Sequence, residues 1–323
     1  MTQVVASPAA NAVKVRHVTQ DGTAAETKAW RRQQAALATI ALAGIGLLLY
    51  PGAAAWFSDV TAHGQVTAQS ARIAELDPDA TAAALEAAEE YNATSARGLI
   101  IDPFSNTPGA GDVPLDDAAT DYLGQLSLDP AGIISRITIP AIDADLPVYH
   151  GSTDETLKRG IGHLYGSSLP VGGPGTHAIL TGHSGLPEAR FFTDLASLRP
   201  GDLIRVTTLG RDLYYEVTGS DTVDPTDIAN LHIVPGQDLL TLVTCTPIGI
   251  NTHRLTVHAT RVDPPADEVR ALEQTGTPFP WWMIGAGAAL TGWTLALILI
   301  HRHRPNNTAT TCPAIHDRRN HLR

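Results

Sequence analysis

A chain of 323 residues has room for one domain of ordinary size plus appendages. Its formal net charge of −11 leaves no basic footprint for nucleic acid, and no nucleic-acid partner is expected. The two cysteines, Cys245 and Cys312, and the absence of a tight His/Cys cluster argue against a structural zinc site, so no metal or cofactor is expected.

The charge is unevenly spread. Residues 57–278 contain 12 Lys and Arg against 30 Asp and Glu, whereas the two ends together are basic. Residues 33–57 and 279–300 carry no charge, and each stretch reaches the ~20 residues that cross a bilayer. Basic flanks at Lys28, Arg31, Arg32, Arg302, Arg304, Arg318 and Arg319 place both ends inside and the acidic middle outside, with Trp56, Trp281 and Trp282 as interfacial anchors. A rival reading makes the first stretch a cleaved secretory signal, with Ala53, Ala54 and Ala55 as the small-residue site. In both readings the middle is exported.

In chain order, residues 1–34 are polar and aperiodic, which predicts a disordered cytoplasmic arm. A transmembrane helix follows over 35–57. Residues 58–130 form an extracellular region. It begins with a stalk over 59–74, then a helix with Asp77 as N-cap, Pro78 at its first position and an apolar face of Ala84, Leu85, Ala88 and Tyr91. Asn92 opens a glycosylation sequon closed by Thr94. Periodicity is lost over 98–124, where Pro103, Pro108, Gly109, Gly111 and Pro114 predict a long loop.

The folded core spans 131–263. Short apolar alternations predict strands over 133–139, 146–149, 177–181, 203–208, 213–218, 239–245 and 254–262, with short helices over 154–159 and around 191–198. The pattern is that of an all-β barrel or sandwich. A linker over 264–278, helical at 266–274, leads to a second transmembrane helix over 279–300 and a basic cytoplasmic tail over 301–323.

The chemistry-bearing residues gather at Cys245 and Arg254, placed by alternation near one rim of adjacent antiparallel strands. By composition alone, Cys245 fits a small buried hydrophobe, Arg254 a surface cation, and His183 is one of 13 histidines. Location changes the weighing, because a bilayer between Cys245 and Cys312 forbids a disulfide and an exported thiol suggests use. A reactive thiol needs to be thiolate, needs a proton donor for its leaving group, and needs positive charge on the carbonyl oxygen. His183 ends a strand at a glycine turn and titrates near neutral pH; Arg254 is always charged.

Four blocks then carry a family resemblance: 137–151 (ITIPAIDADLPVYHG), 162–170 (GHLYGSSLP), 176–187 (THAILTGHSGLP) and 241–247 (TLVTCTP). Together they resemble a sortase, specifically the class C, pilus-assembling kind. The resemblance implies a mainly β protein with a sortase-type closed β-barrel, short inserted helices, an N-terminal helical and lid region, and two flanking transmembrane helices. It implies a cysteine transpeptidase of a Gram-positive plasma membrane, two-pass with an extracellular catalytic domain, which cuts a Leu-Pro-x-Thr-Gly-like signal after Thr. Cys245 would carry the thioacyl group, His183 would move the proton, and Arg254 would hold the tetrahedral oxygen. The substrates would be pilins or surface proteins bearing that signal. The acceptor would be a pilin lysine or, alternatively, cell-wall peptide.

The resemblance further implies a lid at Asp102, Pro103 and Phe104, with the acid at Arg254 and the ring over Cys245. Thr244 would line the substrate groove. Ser184, Ile248 and His258 depart from residues common in the family. A rival of another class is a non-catalytic scaffold that only binds sorting peptides, in which Cys245 would be dispensable. A papain-like protease is disfavoured because its Cys opens a helix, whereas Cys245 ends a strand.

Overall fold

A computed structural model describes residues 21–95, 117–227, 229–264, 269 and 279–302. The chain divides into two units, Tyr50–Trp282 and the paired ends Met1–Leu49 and Met283–Arg323. Helix α1 (Asp21–Ala74) begins in the second of these and continues into the first, and α5 (Trp281–Arg302) ends the described chain. Both are long and apolar enough to cross a membrane.

The larger unit is built on a closed barrel of eight strands: β1 (Ile133–Ile139), β2 (Ala144–His150), β3 (Ile161–His163), β4 (Thr176–Thr181), β5 (Leu203–Thr208), β6 (Arg211–Val223), β7 (Asp238–Thr246) and β8 (His253–Val262). The order around the barrel is β1-β2-β3-β4-β7-β8-β6-β5. Pairs are antiparallel except β2–β3 and β4–β7. Closure leaves no edge to aggregate. Side chains such as Ile137, Leu180, Leu242 and Val257 are fully buried within the main core, each contributing roughly 1.5–3 kcal/mol by area transfer. Strand β6 alternates as a half-buried strand should, with Leu213, Tyr215 and Val217 inside. Strand β1 is buried on both faces because helices cover its outside.

The first of those helices departs from expectation. Residues 59–74, expected as a stalk, continue α1 and dock on the barrel through Ala62, Val66, Gln69 and Ile73, which recur at helical spacing. Gln69 Nε2 donates to Ile133 O at 3.3 Å, Arg72 Nε donates to Asp129 Oδ1 at 2.6 Å, and His63 Nδ1 lies 2.7 Å from Asp145 Oδ2. The stripe is short of large hydrophobes and includes a glutamine, so its amphipathicity is faint in the sequence.

Helix α2 (Pro78–Thr94) starts as its capping signals predict, with Asp77 accepting from Asp79 N at 3.1 Å and Pro78 leading. Asn92, the sequon residue, is buried. Its amide accepts from Leu169 N at 2.7 Å and donates to Leu169 O at 3.0 Å, which ties α2 to the β3–β4 connection. Helix α3 (Asp117–Gly124) occupies ground expected as loop and buries Tyr122 completely. Helix α4 (Asp154–Arg159) forms where predicted, capped by Thr153. The helix predicted around 191–198 shrinks to a single 3-10 turn at Leu195–Ser197, because Phe191 takes φ +34 and Phe192 N–H is drawn to His183 O at 3.1 Å. The linker helix expected over 266–274 falls, apart from residue 269, outside the described residues.

Candidate active site

Register alone assembles the candidate groups. Strand β7 pairs with β8 so that Cys245 faces Arg254 directly. On its other side β7 runs parallel to β4 with Thr181 opposite Val243, so two residues further on His183 comes level with Cys245. The ladder persists past the end of β4, since Gly182 N–H donates to Val243 O at 3.1 Å. Ser184 Oγ donates to Cys245 O at 2.6 Å, which sews the segment after His183 onto the segment that carries the thiol. Even-numbered Leu180, Leu240 and Leu242 belong to the main core, so His183, Cys245 and Arg254 form one row on the face of the sheet away from it. Beneath that row Ile179 and Val243, with Leu164 and Leu231, make a separate small apolar cluster.

Two members of the row, Cys245 and Arg254, are well sheltered. Cys245 is 8% exposed and carries a reduced thiol; Arg254 is 5% exposed. Arg254 Nη1 donates to Asn251 O at 3.1 Å and to His253 O at 3.0 Å, so the β7–β8 loop orients the guanidinium. That loop is wound on one acceptor: Pro247 O takes N–H bonds from Ile250 at 3.0 Å and Asn251 at 2.9 Å. The turn closes with Gly249 at φ +79 and Asn251 at φ +59, residue types that tolerate the left-handed region. The Thr246–Pro247 peptide is cis. Across the row Gly185, at φ +72, sits where a Cβ would come within 2.2 Å of Ile248 Cγ2, so only glycine lets this loop close over the His183 turn.

His183 is half-buried, and burial lowers its pKa from the ordinary 6.5; Asp154 in the first turn of α4 opposes the shift and Lys158 in its last turn adds to it. Thr244, expected on the substrate groove, is placed elsewhere. It is 2% exposed, alternates onto the core side with Leu240 and Leu242, and donates to Gly182 O at 2.7 Å. Its geometry is that of a strut holding the His183 segment on β7. Asp102, Pro103 and Phe104 lie outside the described residues. Among the described residues no group of three or more His, Cys, Asp and Glu is placed to hold a metal ion.

Two supports were not legible as such in the sequence: the Ser184 hydroxyl and the Asn251 carbonyl. Ser184 carried a signal, being next to His183. A backbone carbonyl carries none.

A sulfur, an imidazole and a guanidinium aligned in one row could provide nucleophile, proton carrier and oxyanion partner for acyl transfer. Residues 137–262 match the sortase domain family. Sortase C-1 from Actinomyces oris is 43% identical, its solved structure superposing with a TM-score of 0.53 over 57% of this chain and 99% of its own. The chain belongs to the sortase family. Sortase A from Corynebacterium diphtheriae, solved as a lid mutant, is 41% identical over 60% of this chain and all (100%) of its own, with a TM-score of 0.53. Among curated relatives, sortase A of Bacillus anthracis is 35% identical over 145 residues, 44% of this chain and 66% of that sortase. This sortase spans between 52% and 66% of the length of the curated relatives it matches.

Proposed function

We propose that this sortase is a class C, membrane-anchored cysteine transpeptidase of a Gram-positive plasma membrane that joins pilin subunits. The observation that supports the reading is the register that sets Cys245 of β7 opposite Arg254 of β8 and continues the segment after β4, which carries His183, alongside β7. The thiolate of Cys245 attacks the Thr carbonyl carbon of a Leu-Pro-x-Thr-Gly-like signal, and the carbonyl oxygen takes negative charge beside Arg254. Collapse breaks the Thr–Gly bond. The leaving amine takes a proton from the His183 imidazolium, and a thioester remains on Cys245. The ε-amine of a pilin lysine then attacks the thioester and gives its extra proton to His183. An isopeptide bond forms as the thiolate departs, so protons and electron pairs balance over the cycle. The apolar cluster of Ile179, Val243, Leu164 and Leu231 offers a floor of suitable character for the Leu-Pro end of the signal.

The two apolar helices and the basic flanks support a two-pass topology with both ends cytoplasmic and the barrel outside. Asp102, Pro103 and Phe104 are proposed as a lid on the strength of the sequence resemblance, with support from the lid named for the Corynebacterium relative. Replacing Phe104 by Ala then raises the rate at which a thiol reagent labels Cys245; an unchanged rate contradicts the lid.

The test of function incubates the full chain in nonionic detergent with a Leu-Pro-x-Thr-Gly peptide and hydroxylamine. Cleavage between Thr and Gly that disappears in Cys245→Ala is expected. No Cys245-dependent cleavage, even with Asp102 and Phe104 both replaced by Ala, would leave only a peptide-binding scaffold.

A further inference from the structure

Across the barrel from the reactive row, β1 and β5 turn their outer faces toward the corner between α1 and α2, and a cleft of about 580 Å³ remains there. That volume lies within the roughly 300–1,000 Å³ typical of small-ligand sites. Two arginines stand on neighbouring strands in its wall, with Arg136 opposite Thr207 and Arg205 opposite Thr138. They differ in state.

Arg136 is neutralised, its Nε and Nη2 forking onto Asp145 at 2.5 and 2.7 Å. Arg205 is only 8% exposed, and its Nε is buried with no hydrogen-bond partner among the described residues. Carboxylates of the neighbourhood are engaged elsewhere: Asp145 with Arg136 and His63, Asp212 with the Thr207 hydroxyl at 2.6 Å. A guanidinium cannot escape burial by losing its proton, so an uncompensated one calls for an anion. The rest of the wall is mixed: Ile73, Leu76, Leu85 and Leu209 supply apolar surface, while Gln69, Thr207 and the carboxylate of Asp212 supply polar groups.

We infer that this cleft binds a small amphipathic anion, its carboxylate or phosphate head on Arg205 and its apolar body against Ile73, Leu76, Leu85 and Leu209. The planar donor fork of arginine suits either oxyanion head. An occupant would touch α1, α2, β1 and β5 together, so it would brace the helical corner on the barrel. The site shares no residue with the His183–Cys245–Arg254 row, and the inference stands independently of the proposed transpeptidation.

Titration calorimetry on the full chain in nonionic detergent, with hexanoate, hexyl phosphate, hexanol and inorganic phosphate as probes, tests it. Saturable binding of hexanoate or hexyl phosphate is expected, at least tenfold tighter than hexanol or inorganic phosphate; the tighter of the two names the head. Arg205→Gln should weaken that binding at least tenfold, and Arg205→Lys, which keeps the charge and loses the fork, by less. The thermal midpoint gives a second readout: the anion raises it in the wild type and not in Arg205→Gln. Absence of saturable binding by either anion, or equal affinity in wild type and both Arg205 variants, overturns the inference. Inorganic phosphate binding as tightly as hexyl phosphate overturns its apolar half.

Discussion

Arg254 is held by two backbone carbonyls through one nitrogen, Nη1, so its orientation is fixed before any substrate arrives. Lysine keeps the charge and loses the planar guanidinium that the loop orients. Arg254→Lys should therefore lower kcat/KM by about 10²–10³, the range seen when one oxyanion donor is lost, while labelling of Cys245 by a small thiol reagent stays within a few-fold of wild type. A variant with unimpaired turnover would remove Arg254 from the mechanism. His183 predicts a pH dependence whose sign follows from its surroundings. Burial disfavours the imidazolium, so the ring loses its proton below its ordinary value. Donation to the leaving amine needs that proton, so the limb of the kcat/KM profile that reports His183 falls as pH rises through the lowered pKa. Asp154→Asn removes a charge that holds the proton and should move this limb to lower pH. Lys158→Gln removes a repelling charge and should move it to higher pH. The limbs belong to the coupled Cys245–His183 pair, so the test is the opposite direction of the two shifts. Shifts in one common direction, or none, would contradict the role given to His183.

Elements are locked onto the barrel by buried polar contacts, and α3 shows how. Tyr122 is fully buried, and its hydroxyl accepts from Gly151 N at 3.0 Å and lies 2.9 Å from His163 Nδ1. His163 Nε2 is 2.8 Å from Ser168 O and so donates there, which leaves Nδ1 of the neutral ring to share the Tyr122 proton with His163 O, 3.1 Å from the hydroxyl. Tyr122→Phe strands the Gly151 N–H and the His163 nitrogen. The expected loss is about 1–3 kcal/mol of unfolding free energy, seen as a lower denaturant midpoint with unchanged slope; an unchanged midpoint would contradict the anchoring. Burial also lowers the pKa of His163 and of its neighbour His150 to about 4. The unfolded chain takes up these protons near pH 6.5 and the folded chain does not, so stability is full above about pH 6.5 and declines as pH falls toward 4. The long elements are legible in the sequence and α3 is not, for physical reasons. Strands β7 and β8 announce themselves by alternation over nine and ten residues, and the Cys245–Arg254 pairing follows from it. Strand β3, three residues long, is too short to show a period. Helix α3 stands directly after a run rich in proline and glycine, and its eight residues rest on one tyrosine whose partners are distant in sequence. The docked half of α1 is similarly faint, since Ala62 and Gln69 stand in its buried stripe. Thr244 is adjacent to Cys245 in sequence, but β alternation sends adjacent side chains to opposite faces.

At the scale of the whole molecule, an acidic middle lies between basic ends, and each junction is an apolar helix long enough to span a bilayer. Under the proposed topology the barrel works outside the cell, where a reduced thiol persists only if it is sheltered or in use. Cys245, with 8% of its surface exposed, is sheltered. Chemistry therefore depends on substrate reaching a thiol that solvent barely touches. The covalent intermediate is the step from which the rest of the account follows, because a scaffold, or a hydrolase with a different nucleophile, forms none on this residue. Intact-mass spectrometry of the full chain after mixing with a Leu-Pro-x-Thr-Gly peptide, followed by peptide mapping, measures it directly. The account predicts a mass increase equal to the acyl fragment ending in Thr, mapped to Cys245, discharged by hydroxylamine and absent in Cys245→Ala. A peptide cleaved at full rate with no adduct on Cys245, or with the adduct on another residue, would contradict it.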